Sequence, residues 1–204
     1  MTDGLRLLLC TDLDRTLLPN GPQPESPQAR RRFAALVSHP GVVLAFVSGR
    51  DRGLVEKAIN SYSLPRPAFV ISDVGTNIYD LRGGEWTNWR QWEREIAPDW
   101  NGLGATELQQ LLSGFKDLRL QERRKQNTFK LSYYLPLHQA PADLEGPVQR
   151  CLQAEGVAAS LVWSVDEPAG IGLLDVVPRR ATKLHAVEFL QASLGATREQ
   201  TLFA

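Results

Sequence analysis

Short apolar runs alternate with amphipathic stretches over the first third of the chain. Leu5 to Cys10 is one such run, Val42 to Val47 a second and Ala68 to Ile71 a third. Each has the length and continuity of a strand buried on both faces. Between the first two, Ser26 is placed to cap a helix with Pro27 at its first position and an apolar stripe at Phe33, Leu36 and Val37. Pro40-Gly41 stops that helix, and a Pro- and Gly-rich loop over 19–27 precedes it. The turn Ser48-Gly49-Arg50-Asp51 opens a further helix running to about Asn60. Strand, helix, strand, helix, strand predicts a doubly wound parallel sheet. Ligands gather at the carboxyl ends of its strands.

The alternation stops between Leu81 and Gly170, where tryptophans stand at 86, 89, 92, 100 and 163. The pattern there predicts helices near Trp89 to Ile96, Thr106 to Leu112 and Pro141 to Glu155. Strands are expected over Arg119 to Gln121, Thr128 to Leu135 and Ala158 to Val165. Leu173 to Val177 resumes the buried-strand pattern, Thr182 to Leu194 reads as an amphipathic helix ending at Gly195, and Thr201 begins another apolar run. The expected fold class is α/β. A Rossmann-like parallel sheet core (1–80 and 171–204) carries an inserted α+β cap domain (81–170).

Composition narrows the partners. The 204 residues are 43% hydrophobic and carry 23 Lys and Arg against 23 Asp and Glu, a net charge of zero. No basic excess recommends nucleic acid and no polybasic segment a membrane surface. Nowhere do apolar residues continue for the ~18 positions of a membrane span, and acids interrupt the first apolar run before it can read as a leader. Cys10 lies in a buried run, so pairing with Cys151 is not expected, and a reducing cytoplasm is the expected location. His39, His138 and His185 show no metal-ligand spacing.

Candidate chemistry sits where the first strand ends. Side chains two apart on a strand share a face, so Asp12 and Asp14 are expected to point into one crevice while Leu13 points away. Two such carboxylates suit a nucleophile, a proton-transferring partner and a divalent metal between them. The same D-x-D also suits the capping of a turn. Lys183, at the start of a predicted helix, is where a cation is mildly unfavourable, which hints at another duty.

Four stretches together resemble the haloacid-dehalogenase-like phosphatases, and more closely their sucrose-phosphate phosphatase branch. Asp12-Leu13-Asp14-Arg15-Thr16 matches a D-x-D-x-T signature, and Val47-Ser48-Gly49-Arg50 the second motif. Leu174-Asp175-Val176-Val177-Pro178 followed by Lys183 matches the third. Ile71 to Tyr79 and Gln126 to Leu135 resemble stretches of the sucrose branch. The resemblance implies a Mg²⁺-dependent phosphatase acting on a sugar phosphate, with sucrose 6-phosphate as the preferred substrate. It implies Asp12 as nucleophile, Asp14 as acid and base, and Asp12 with Asp14 as metal ligands. It implies Ser48, Gly49 and Lys183 as phosphate ligands, and Arg50, Gly75, Thr76, Asn77, Gln126 and Lys130 as substrate contacts. A sucrose-phosphate synthase is the partner it suggests.

The family's acidic fourth motif has no counterpart before Ala204, so the core is expected to be truncated at its C-terminal side, by loss or by nature. Two alternatives therefore stand beside the sucrose phosphatase. One is a phosphatase of glycosyl-glycerate or trehalose phosphates; the other is a shortened, non-catalytic module that binds sugar phosphate.

Overall fold

A computed structural model describes residues 4–19, 25–137, 141–167 and 169–204. Part of the 19–27 loop and His138 lie outside them. The strands are β1 (Leu7–Thr11), β2 (Val42–Val47), β3 (Phe69–Ser72), β4 (Asn77–Asp80), β5 (Thr87–Asn88), β6 (Arg119–Leu120), β7 (Leu131–Leu135), β8 (Ala159–Asp166), β9 (Ile171–Pro178) and β10 (Thr201–Phe203). The helices are α1 (Ala29–Val37), α2 (Arg52–Ser61), α3 (Arg90–Ile96), α4 (Ala105–Leu111), α5 (Pro141–Ala154) and α6 (Lys183–Leu194). The chain divides into two compact units, 1–92 with 182–204, and 93–181.

The first unit is built on a six-stranded sheet of order β10-β1-β2-β3-β4-β5. Strands β10, β1, β2 and β3 are parallel, with Leu8 opposite Val43 and Leu9 opposite Leu44; β4 and β5 run antiparallel. The apolar runs form these central strands because both of their faces are covered. On one face Leu9, Leu44, Phe46 and Val70 pack with Val55 and Ala58 of α2, and with Leu13 and Leu18 from the turn after β1. Helix α6 contributes Ala186, Val187 and Leu190, all buried. Fully burying one such aliphatic side chain is worth about 1.5–3 kcal/mol. Helix α2 starts where Asp51 Oδ1 accepts the Leu54 N–H at 2.9 Å. Helix α6 starts at Thr182, whose Oγ1 accepts the His185 N–H at 3.0 Å, and ends on Gly195 with φ +64°.

The second unit has a four-stranded antiparallel sheet of order β6-β7-β9-β8. Leu131, Tyr133, Leu135, Leu174 and Val176 of its strands pack with Leu108 of α4 and Val148 and Leu152 of α5 around the buried Trp100. Its third strand corrects the expected division of the chain. Leu173 to Val177 reads as a strand of the parallel sheet, yet β9 pairs with β7 and β8, with Asp175 between Ser132 and Val162. A largely apolar run signals burial and says nothing about which neighbours pair with it. The compact units accordingly change over at 92/93 and 181/182, not at 80/81 and 170/171.

Candidate functional site

Strand β1 delivers Asp12 at its carboxyl end. Thr11 and Leu13 are buried while Asp12 and Asp14 are partly exposed, so the strand's alternation carries on past its last ladder residue. The Asp12 N–H donates to the Ala204 carbonyl beside β1 at 2.9 Å, which holds its backbone in line. Asp12 Oδ1 accepts the Leu13 N–H at 2.7 Å, and Oδ2 accepts from Lys183 Nζ at 2.6 Å. Lys183 is the first residue of α6, where the helix dipole repels a cation. The Asp12 carboxylate offsets that repulsion.

Beyond Asp12 the chain turns tightly. Leu17 and Leu18 N–H groups both donate to the Leu13 carbonyl, and Arg15 takes a left-handed φ of +60°. The turn presents Asp14 to Arg50 across the β2–α2 connection. Arg50 Nε donates to Asp14 Oδ2 at 2.9 Å and Nη2 to Oδ1 at 2.6 Å, a two-pronged grip that fixes the carboxylate plane. That hydrogen bonding raises the Arg50 pKa, and the Asp14 and Asp12 charges add to the effect. Two carboxylates and two cations thus meet at the end of β1.

Ser48 and Gly49 form the turn after β2. Ser48 is fully buried; its N–H donates to the Ile71 carbonyl at 2.8 Å and its hydroxyl accepts the Arg50 N–H at 3.1 Å. Gly49 is exposed. The connection after β3 braces the same region. The Asp73 N–H donates to the Arg50 carbonyl at 2.9 Å. The Asp73 carboxylate accepts from Ser72 Oγ at 3.2 Å and Asn77 Nδ2 at 3.1 Å, and Thr76 Oγ1 donates to the Asp73 carbonyl at 2.9 Å. Asp73, Val74 and Gly75 have φ of +51°, +63° and +100° in succession. For a β-branched valine this is strained backbone, costing about 1–3 kcal/mol. The surrounding hydrogen bonds hold it.

The expected substrate contacts fall into two groups. Gly75, Thr76 and Asn77 are buried in the first unit, the Thr76 and Asn77 side chains turned to Asp73. Gln126 and Lys130 belong to the second unit. Gln126 is stitched to backbone there: Nε2 donates to the Gln121 and Ser132 carbonyls at 3.0 Å each, and Oε1 accepts the Ser132 N–H at 2.8 Å. Lys130 is only 4% exposed. Nearby, Ser132 Oγ donates to Asp175 Oδ1 at 2.5 Å. Asp175, part of the stretch that matches the third motif, is a residue of the second sheet. Burial pushes the Tyr133 hydroxyl up to about 12.

Sequence reasoning missed Asp73 as a brace and Trp92 altogether. The buried Trp92 donates from Nε1 to the Gly75 carbonyl at 3.0 Å. No local signal marks such a contact, since a tryptophan at helical spacing from Trp89 and Ile96 reads simply as core.

A magnesium ion was also expected. Asp12 and Asp14 offer the hard oxygen donors that Mg²⁺ prefers. Among the described residues no group of three or more His, Cys, Asp and Glu side chains is gathered to hold a metal. Mg²⁺ is commonly bound by one or two carboxylates, with substrate phosphate and water completing its octahedron, so this donor set fits the ion in that mode.

Comparison with known proteins places this arrangement. A protein of Nitrosococcus oceani described as a HAD-like hydrolase is 50% identical over 98% of this chain and 54% of its own length. The mannosylfructose-phosphate phosphatase of Agrobacterium fabrum is 28% identical over 92% of this chain and 70% of its own. The chain thus spans about half the length of the first of these curated relatives. Among solved structures, the sucrose-phosphatase of Synechocystis sp. PCC6803, in complex with sucrose and phosphate, shares the fold. Its TM-score is 0.77 at 24% identity, over 98% of this chain and 75% of that one. The sequence model of sucrose-6F-phosphate phosphohydrolase matches residues 5–204, and with the acid-bearing strand end described above the chain belongs to that family.

Proposed function

We propose that this protein is a sugar-phosphate phosphatase working through an aspartyl-phosphate on Asp12, with sucrose 6-phosphate its preferred substrate. The observation that carries the reading is the carboxylate of Asp12, held at the end of β1 with Lys183 Nζ at 2.6 Å. A nucleophilic carboxylate needs a fixed orientation and a neighbouring positive charge to receive an anionic phosphoryl group. The Leu13 N–H supplies the first and Lys183 the second.

In the first half of the reaction a bond forms from an Asp12 oxygen to phosphorus and the bond from phosphorus to the sugar oxygen breaks. Asp14 gives its proton to that departing oxygen. In the second half a water oxygen bonds to phosphorus, the Asp12–phosphorus bond breaks, and Asp14 takes the proton back. Arg50 orients the Asp14 carboxyl through both of its oxygens. The exposed Gly49 amide and Lys183 are the groups assigned to the phosphoryl oxygens, with the Ser48 hydroxyl behind them shaping the turn. Mg²⁺, held by Asp12 and the main-chain carbonyl of Asp14, would supply further neutralisation of the phosphoryl charge.

The sucrose preference rests on the family matched and on the sucrose-phosphatase fold neighbour. Phosphate release from sucrose 6-phosphate, mannosylfructose phosphate, trehalose 6-phosphate and a glucosylglycerate phosphate, each with Mg²⁺ and with EDTA, tests the proposal. Highest kcat/KM on sucrose 6-phosphate, abolished by EDTA, is expected. Turnover of only the other esters would overturn the substrate, and calorimetric binding without any release would replace the enzyme by a binding module.

A further inference from the structure

We propose that Trp92 is a positioning residue for Lys183, acting through the left-handed turn at Gly75. The inference rests on the reading of Lys183 as the cation beside the nucleophile, and it concerns the device that aims it. Trp92 is fully buried and ends the first of the two segments that make up the first unit. Its indole N–H donates to the Gly75 carbonyl at 3.0 Å. Its ring lies 5.2 Å from the His185 ring, nearly edge-on at 80°, and 5.2 Å from the Phe189 ring. One side chain thus grips both the first turns of α6 and the turn facing them.

Gly75 transmits the grip because it has no side chain. Its φ is +100°, and a Cβ at that position would stand 2.7 Å from the Thr182 carbonyl carbon and 2.9 Å from the Lys183 nitrogen. The backbone of the turn therefore lies directly against the residue that caps α6 and the residue that starts it. Thr182 then fixes the helix start through the His185 N–H, and Lys183 reaches Asp12 from that fixed point. Lysine has a flexible four-carbon stem, so a backbone anchor at its root is what limits where the ammonium goes. The strain at Asp73 and Val74 is consistent with a turn held in place from outside. The Trp92 indole, 17 residues along the chain from Gly75, supplies a side-chain donor that holds it.

W92F tests this, because phenylalanine keeps a ring against His185 and Phe189 while removing the indole donor, and F189L controls for the packing that the smaller ring gives up. The direct readout is the acylation rate of each lysine by an amine-specific anhydride, followed by peptide mass spectrometry. Lys183 is shielded by its ion pair, and Lys57 and Lys116 serve as internal references. W92F is expected to raise Lys183 labelling about tenfold against those references and to lower kcat about tenfold with little change in KM, the size of a modest misorientation of a catalytic group. In a K183Q background, W92F should cost no further activity. F189L is expected to lower Tm while leaving Lys183 labelling at the wild-type ratio. Unchanged Lys183 labelling in W92F overturns the proposal, as does an equal rise in F189L. The labelling needs no turnover, so absence of phosphatase activity would count against the proposed function and leave the positioning question decided.

Discussion

Lys183 Nζ and Asp12 Oδ2 stand 2.6 Å apart across 171 positions of sequence, joining the first residue of α6 to the end of β1. Neither residue has a structural need for the other that a neutral pair would not meet as well. A partly exposed ion pair adds only about 0–1 kcal/mol to stability. What the pair does secure is a carboxylate of fixed orientation beside a positive charge.

Removing that charge separates the two roles. K183Q should unfold within a few degrees of the wild type and lose about 10²–10³ in kcat, the range for loss of one preorganised donor to a developing negative charge. Circular dichroism melts with initial-rate kinetics check both halves. A variant that folds normally and turns over normally would remove Lys183 from the mechanism.

Arg50 and Asp14 allow a sharper chemical test. Lysine in place of Arg50 keeps the charge but cannot reach both Asp14 oxygens in one plane. R50K is therefore expected to lose activity by about tenfold or more on alkyl phosphates, whose leaving oxygen needs a proton from Asp14. The loss on p-nitrophenyl phosphate, whose leaving group departs as an anion, should be clearly smaller. Comparable losses on both would show that the grip on Asp14 is not its contribution.

Away from the site, Asp80 has its carboxyl held below the usual range, first by the side-chain hydrogen bonds of Arg82 and also by the Arg82 N–H and charge, against an opposing effect of burial. The folded state therefore binds this proton less readily than the unfolded chain. Its stabilisation is present above the unfolded carboxylate pKa of about 3.9 and fades as pH falls through the folded value. D80N should cost about 0.5–1 kcal/mol at pH 7, and the difference from wild type should close in strong acid, once this carboxyl is protonated in the folded state too. Urea titrations at pH 7 and in strong acid measure it.

Cys10 offers a probe of the central strands. It is fully buried in β1 and burial pushes its thiol up to about 12. At pH 8 it should stay unmodified by iodoacetamide for as long as the sheet is folded, while the partly exposed Cys151 reacts. In denaturing urea both should react. Rapid native labelling of Cys10 would mean that the β10 side of the sheet opens readily.

Much of the fold is legible in the sequence, because burial writes itself as apolar runs. Val42 to Val47 is a strand in the sequence and in the structure, and α6 is bounded by the cap at Thr182 and the glycine at 195. The pairing of strands is less legible. Leu173 to Val177 and Leu5 to Cys10 are equally apolar, yet one joins an antiparallel sheet and the other a parallel one. The site divides in the same way. The alternation around Asp12 and Asp14 follows from strand geometry, whereas Asp73, Trp92 and the inward turn of Thr76 and Asn77 depend on contacts that no spacing encodes.

The covalent intermediate itself is the most direct test. Protein mixed with sucrose 6-phosphate and Mg²⁺, quenched within milliseconds and treated with borohydride, should carry homoserine at position 12, because an acyl phosphate is reduced where a free carboxylate is not. Peptide mass spectrometry should find the change at Asp12 alone, and only when substrate was present. Steady release of phosphate with Asp12 unreduced, or reduction at another carboxylate, would contradict the account.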